Sequence, residues 1–276
     1  MKKNKIYQHG FIGCGKMGQI ILQALLKNQR VKACDVLVSR RNKAELKKIR
    51  ARFKVSTTEK NISVAQSSRI LWLGIKPLQA EAVLKEIAPH LRPGTAIVSM
   101  MAGVSTATLQ KYLGRRRPML RIMPNTPALL GMGVTGIYFT KGFPGSTQKD
   151  LKSLLKSLGE VALLKNEKQF DAVTGLSGSG PAFIYSIAQG FIAGGRASGL
   201  STVQAKALAI QTLWGTSAML RETQKDPEEL IAQVVSKGGT TEAGLKVLKK
   251  LRIVNGIEGA VKAATRRSRE ISRKLK

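Results

Sequence analysis

The feature that most restricts the fold of this chain is a glycine triplet near its start. Gly13-Cys14-Gly15-Lys16-Met17-Gly18 follows a short run from Ile6 to Ile12. It leads into Met17, Ile20, Ile21, Ala24 and Leu25, which recur at helical spacing. A lone GxGxxG is a weak signal, but a strand before it and a helix after it give it meaning. In that setting the first glycine permits a tight turn, the second lets a pyrophosphate reach the backbone, and the third lets helix and strand pack closely. The amides and dipole at the helix start then stabilise phosphate charge. The plain alternative is an ordinary strand–helix turn. On either reading Cys14 is a small filler, not a redox group.

Further compact strands are expected at Val36–Ser39, Ile70–Ile75, Ala96–Ser99 and Met119–Met123, the last closed by Pro124 and Pro127. A charged helical segment runs through Arg52. An amphipathic helix over Leu151–Leu158 precedes one last strand, Gly159 to Leu164. Strands separated by helices predict an α/β fold, with an N-terminal Rossmann-like parallel sheet and right-handed crossovers. Beyond that point the pattern is almost wholly helical. Ala182–Ala197 and Thr202–Arg221 are apolar on more than one face and so must be buried on most sides. A unit of about a hundred residues lacks the interior to do this alone, so a second subunit is expected to cover them. The boundary is placed near residue 165. This gives an NADP-binding domain over 1–165 and an all-helical dimerisation and substrate-binding domain over 166–276.

The choice of nicotinamide cofactor rests on the end of the second strand. Domains that take the unphosphorylated form carry an acidic residue there, about twenty residues past the glycines. This strand ends Val38-Ser39-Arg40-Arg41, and Asp35 precedes it, at the wrong end. Ser39 can hydrogen-bond a 2′-phosphate and Arg40 can pair with it. NADPH is therefore the preferred cofactor and NADH the second candidate.

Charge is the unusual bulk property: 47 Lys and Arg against 16 Asp and Glu give a formal +31. Local clusters occur only at Arg115-Arg116-Arg117 and in the tail from Arg266 to Lys276, and the N-terminus carries Lys2, Lys3 and Lys5. They are not interleaved with aromatics, and no nucleic-acid-binding signature appears. The reading is a solvated basic surface, with specific nucleic-acid binding not expected. Two cysteines, Cys14 and Cys34, provide neither a disulfide framework nor metal-ligand spacing, so no metal site is expected. His9 and His90 read as ordinary surface or turn residues. No apolar run of signal-peptide or membrane-spanning length is present, and a cytoplasmic protein is expected.

Asp171–Ala182 reads DAVTGLSGSGPA and Ser236–Thr241 reads SKGGTT. With GFIGCGKMG at the start, GIKP at Gly74–Pro77, MAG at Met101–Gly103 and MPNTPA at Met123–Ala128, the landmarks fall in one order. On these motifs nearly the whole chain resembles the pyrroline-5-carboxylate reductase family. The resemblance implies reduction of 1-pyrroline-5-carboxylate to proline, the last step of proline biosynthesis. It also implies a helical domain that dimerises by interleaving, and a ring of dimers as the larger assembly. By residue, it implies cofactor pyrophosphate on Ile12, Gly13, Cys14, Gly15, Lys16 and Met17, and the adenosine end near Ser39, Arg40 and Asn61. The nicotinamide side is lined by Gly74, Ile75, Lys76, Pro77, Ala102 and Gly103. Substrate meets Glu167, Ser236, Gly239, Thr240 and Thr241, with Thr241 catalytic.

The physics of the last motif agrees with that role. A loop running into a helix start offers free amides that hold a carboxylate without an arginine. A hydroxyl at Thr241 has a use at the ring nitrogen, because reducing C=N places hydride on carbon and a proton on nitrogen. The bland reading is a capped helix start without a ligand. SGSGPA reads first as a tight start to a helix, with Pro181 in its first turn. Three positions depart from the family pattern: Lys237 where proline is usual, Met101 where alanine is common, and Gln233 where some relatives have asparagine. They bear on the identity of the substrate, so a reductase of another cyclic imino acid is the alternative. A non-catalytic relative with a regulatory or nucleic-acid-associated role is the alternative of a different class.

Overall fold

In the computed structural model, the structure describes residues 5–27, 31–114 and 116–274. Of the clustered and N-terminal basic residues, Lys2, Lys3, Arg115 and Lys276 lie outside these. The described chain forms two compact units. One comprises the residues up to Ser179 together with those from Ala263 onward, and the other is Gly180–Lys262. The first therefore takes in residues 166–179, grouped with the helices on sequence, and recovers a stretch from the C-terminal end of the chain.

The first unit is built on one sheet of eight strands. In chain order these are β1 (Tyr7–Ile12), β2 (Val36–Ser39), β3 (Ser56–Thr58), β4 (Ser68–Leu73), β5 (Ala96–Ser99), β6 (Met119–Pro124), β7 (Gly133–Phe139) and β8 (Gly159–Leu163). They lie in the order β3-β2-β1-β4-β5-β6-β7-β8, and the first six are parallel. Parallel neighbours need crossovers. Helices α1 (Lys16–Lys27), α2 (Lys43–Phe53), α3 (Asn61–Ser67), α4 (Ala80–Ile87) and α5 (Thr106–Leu113) lie in these connections. Expected and observed strands agree within a few residues, with two additions. Strand β3 is a three-residue polar edge, and β7 enters antiparallel to β6, with β8 parallel to β7. The sheet is thus parallel through β6 and reverses at one edge. Helix α6 (Gly145–Leu155) joins β7 to β8.

Both faces of the sheet are buried, as a parallel sheet requires. Phe11 stacks on Trp72 on one face, with Ile21, Leu22, Leu25 and Leu151 around them; Ile12, Leu71, Leu84 and Ile97 occupy the other. His9 corrects the surface reading. It lies inside β1, 3% exposed, and its Nδ1 accepts from Trp72 Nε1 at 3.1 Å. Burial pushes its pKa down to about 4, so it is a neutral core residue. His90 does lie in a surface turn.

After the short helix α7 (Phe170–Val173) and a wide turn over Thr174–Gly178, the second unit consists of helices. These are α8 (Gly180–Ala197), α9 (Thr202–Thr223), α10 (Pro227–Val234), α11 (Thr240–Lys250) and the first half of α12 (Ile253–Lys274). Helices α8 and α9 pair where Gly195 faces Ala205. Within this unit only Ala205 and Ala209 are buried hydrophobics, while Ile184, Tyr185, Phe191, Leu208, Ile210 and Trp214 are each more than half exposed. Such a surface has no interior of its own. Apolar area on that scale marks an interface. Among the described residues, no helix is long and apolar enough to cross a membrane.

Candidate active site

The order β3-β2-β1-β4 places β1 between two strands reached in opposite directions. The crevice beyond its carboxyl end is where open α/β sheets bind ligands. Here the glycine turn meets the end of β4. Gly13 has φ +75°, and its amide donates to the Ser39 carbonyl at 3.1 Å. A Cβ on Gly13 would fall 2.8 Å from the Gly74 carbonyl oxygen, and one on Gly74 would fall 2.4 Å from that of Gly13. The two strand ends therefore touch through backbone, and neither position admits a side chain. Next to them, the Cβ side of Gly15 is open space at the start of α1, with nothing within 4 Å. A pyrophosphate fits such a cradle, facing the orphan amides of the first helical turn.

The cradle opens into a cleft of about 520 Å³. The sequence-expected residues Gly13, Cys14, Gly15, Ser39, Arg40, Asn61, Gly74, Ile75 and Lys76 all line it. Other expected residues do not. Ile12 is in the core, and its carbonyl accepts from the Gly74 amide. Lys16 and Met17 belong to the first turn of α1, Lys16 exposed and Met17 packed on the core. Pro77 begins a short turn outside the cleft, and Ala102 is absent from its lining. Gly103, at φ +77°, is covered by the end of α12; a Cβ there would stand 3.1 Å from Ile271. The cleft also includes Arg41, Asn42, Gln79, Ala82, Val83 and Glu86. Gln79, Val83 and Glu86 share one helical face, a spacing that could have disclosed them from sequence.

Several side chains in the cleft are already engaged. Ser39 is wholly buried, with its Oγ 3.3 Å from the Phe11 carbonyl and 2.8 Å from Asn61 Oδ1. Its hydroxyl organises the cleft wall through Asn61, whose Nδ2 donates to Glu86. Arg40 donates from Nη1 to the Cys14 carbonyl at 3.0 Å and to Glu45 at 3.2 Å. Cys14 itself is fully buried, and burial pushes its thiol up to about 12. It remains a protonated filler, as expected.

Glu167 is tied into the first unit. Its Oε1 accepts from the Thr106 amide at 2.7 Å and from Arg121 Nη1 at 2.9 Å, and its Oε2 accepts from the Thr106 hydroxyl at 2.6 Å. Arg121 is buried and lies over the Phe170 ring at 4.3 Å. Both carboxylate oxygens are thus bound within the first unit, at the start of α5. This describes a latch between distant segments.

In the second unit, Ser236, Gly239, Thr240 and Thr241 form one compact loop and helix start. Gly239 caps α11, and its amide donates to the Ser236 carbonyl at 3.0 Å. Gly238, at φ +75°, donates its amide to Glu242 at 2.6 Å. Glu242 was not anticipated. Hydrogen bonds from Lys246 and then from Gly238 hold its carboxyl below the usual range, so it stays charged. With those two amides in use, the amides and hydroxyls of Thr240 and Thr241 remain for a ligand, together with the Ser236 hydroxyl. Gly239 contributes its lack of a side chain, since a Cβ would collide with Ser236 Oγ at 2.3 Å.

SGSGPA and MPNTPA are tied together within the first unit. Asn125 Nδ2 donates to the Ser177 carbonyl at 3.2 Å, and its Oδ1 accepts from the Val134 amide at 2.9 Å. This supports the structural reading of both motifs.

Comparison with known proteins agrees along the chain. A family model described as pyrroline-5-carboxylate reductase dimerisation matches residues 167–271. One described as NADP oxidoreductase, coenzyme F420-dependent, matches residues 8–103. The pyrroline-5-carboxylate reductase of Pseudomonas aeruginosa is 35% identical over 265 residues, covering 96% of this chain and 97% of the relative. The chain belongs to the pyrroline-5-carboxylate reductase family. The enzyme of that name from Synechocystis sp. is also 35% identical, over 97% of this chain and 99% of its own. Among solved structures, a family member from Coxiella burnetii superposes with a TM-score of 0.87 at 30% identity, over 97% and 99% of the two chains. A pyrroline carboxylate reductase from Plasmodium falciparum, solved with NADP bound, gives 0.88 at 26% identity, over 98% and 100%. Membership carries the oxidoreductase activity, a nicotinamide cofactor and homo-oligomerisation through the helical domain.

Proposed function

We propose that this chain reduces 1-pyrroline-5-carboxylate to L-proline with NADPH, working as a cytoplasmic homodimer. The observation that carries the reading is the joint presence of two sites in the family's order. One is a glycine-floored cleft ending in Arg40 and Arg41, and the other is a helix start whose free donors belong to Thr240 and Thr241.

The bound cofactor supplies a hydride. Around it, Gly13 and Gly15 let the pyrophosphate reach the α1 amides, Lys76 and Ile75 flank the cleft beside β4, and Arg40 with Arg41 offers cations to a 2′-phosphate. On the substrate, the Thr240 and Thr241 amides hold the carboxylate at the positive end of α11. The Thr241 hydroxyl hydrogen-bonds the ring nitrogen. It is no strong acid, so it orients and polarises the C=N bond, and the proton arrives with the substrate or through water. The deciding experiment follows NADPH oxidation with 1-pyrroline-5-carboxylate beside a panel of other cyclic imines. Greater efficiency with another imine would replace the substrate named here.

Arg40→Asp should weaken NADPH binding by at least about thirtyfold while weakening NADH binding little, since a charge-assisted pair is replaced by repulsion. Equal losses in titrations with both cofactors would remove the NADPH preference.

For the assembly, the uncovered apolar faces of α8 and α9 support an isologous dimer. Trp214→Glu, placing a charge at a large exposed apolar position, should shift the chain towards monomer in sedimentation at micromolar concentration. An unchanged sedimentation coefficient would exclude Trp214 from the interface.

A further inference from the structure

Arg40 is the residue on which the NADPH reading leans, yet it is held within the protein. Its Nη1 reaches both the Cys14 carbonyl and Glu45 Oε2. Glu45 stands in the first turn of α2, where its backbone amide donates to the capping side chain of Asn42 at 3.0 Å. Its other oxygen accepts from Lys48 Nζ at 3.0 Å. Hydrogen bonding and charge from Lys48, and then from Arg40, hold the Glu45 carboxyl below its ordinary range. A fixed negative charge therefore stands behind the Arg40-Arg41-Asn42 wall of the cleft, at a helix start whose amides would otherwise favour an anion.

The two nicotinamide cofactors meet this arrangement differently. A ligand without a 2′-phosphate leaves Arg40 on Glu45 and on the Cys14 carbonyl. A ligand with one must draw Arg40 away from Glu45 and bring its own negative charge towards that carboxylate. We propose that Glu45 is a specificity-setting residue: it parks Arg40 over the glycine turn and narrows the margin by which the cleft prefers a 2′-phosphorylated adenine nucleotide. The preference implied by Ser39-Arg40-Arg41 is thus partly cancelled by a residue one helical turn further on. This inference rests on the NADPH reading above and adds to it the residue that sets its size.

The test uses the full chain and reads binding, not turnover. Adenosine 2′,5′-bisphosphate and adenosine 5′-monophosphate, which differ only at the 2′ position, are titrated calorimetrically into the wild type, Glu45→Gln, Arg40→Ala and the double variant. Glu45→Gln should tighten the 2′-phosphorylated probe about two- to fivefold, the range for removing one partly exposed ion-pair competitor. Affinity for the probe without a 2′-phosphate should stay the same. In the Arg40→Ala background the gain should vanish, because it acts through Arg40. Unchanged or weaker binding of the 2′-phosphorylated probe to Glu45→Gln would overturn the inference. So would a gain that survives in the double variant, which would mark direct repulsion instead of a parked arginine. A wild type that binds both probes equally, with no response to Arg40→Ala, would overturn the NADPH reading itself along with it. The imine-reduction assay is independent of all these titrations.

Discussion

Thr241→Ala is expected to lower turnover of 1-pyrroline-5-carboxylate by about ten- to a thousandfold, the range for losing one hydrogen bond aimed at the reacting centre. The size of the effect follows from how few donors the helix start retains. The Gly238 amide serves Glu242 and the Gly239 amide serves Ser236, leaving the two threonines and the Ser236 hydroxyl to meet the substrate. NADPH affinity should hardly change, since none of the cleft residues is touched. Thr241→Ser keeps the hydroxyl and should keep much of the activity. Steady-state kinetics on the three chains would decide the matter: near-wild-type turnover in the alanine variant would move the role to another donor, Thr240 first.

Glu167→Ala should act on stability before it acts on chemistry. Removing the carboxylate leaves Arg121 buried with, among the described residues, the Phe170 ring face as its side-chain contact, and strips Thr106 of both hydrogen bonds to Glu167. Breaking a buried pair from one side costs about 3–5 kcal/mol, which for a chain of this size lowers Tm by roughly 10 °C. Replacing both partners, as in Glu167→Ala with Arg121→Met, should recover much of that loss, because no unpaired charge remains. Thermal unfolding and KM are to be measured on the same samples. A Glu167→Ala chain that melts with the wild type but shows a raised KM would return Glu167 to the substrate.

The contrast between these two residues shows what the sequence makes legible. The cofactor cleft was readable because its signal is local: a strand, three glycines and a helix start lie within one short stretch, and backbone geometry follows from them. Strands β2, β5 and β6 announced themselves by apolar runs between turn residues. Strand β3, Ser-Thr-Thr at the sheet edge, has no apolar run to announce it. In β7 two glycines interrupt the pattern, and nothing local says that its neighbour runs the other way. Glu167 was legible only through the family resemblance, outside the motifs that carry it. Its partners are 46 and 61 residues away in sequence, so its employment there could not be read. Glu45 is an intermediate case. Its spacing from Arg40 is short, but an exposed acid in a first helical turn ordinarily serves the helix dipole alone.

The recruitment of the last helix into the first unit bears on how the chain is made. Gly103 is covered by Ile271 and Ser272, and Asp171 accepts hydrogen bonds from the Ser268 and Ser272 hydroxyls at 2.7 and 3.3 Å. The nucleotide-binding unit is therefore discontinuous, interrupted by all of Gly180–Lys262. During synthesis, at roughly 5–20 residues per second, its final pieces emerge on the order of ten seconds after its sheet is complete. For that interval the turn at Gly103 and the carboxylate of Asp171 stay bare. By the time they are covered, the oligomerising helices have already left the ribosome, so the completed first unit and a surface ready for assembly arrive together.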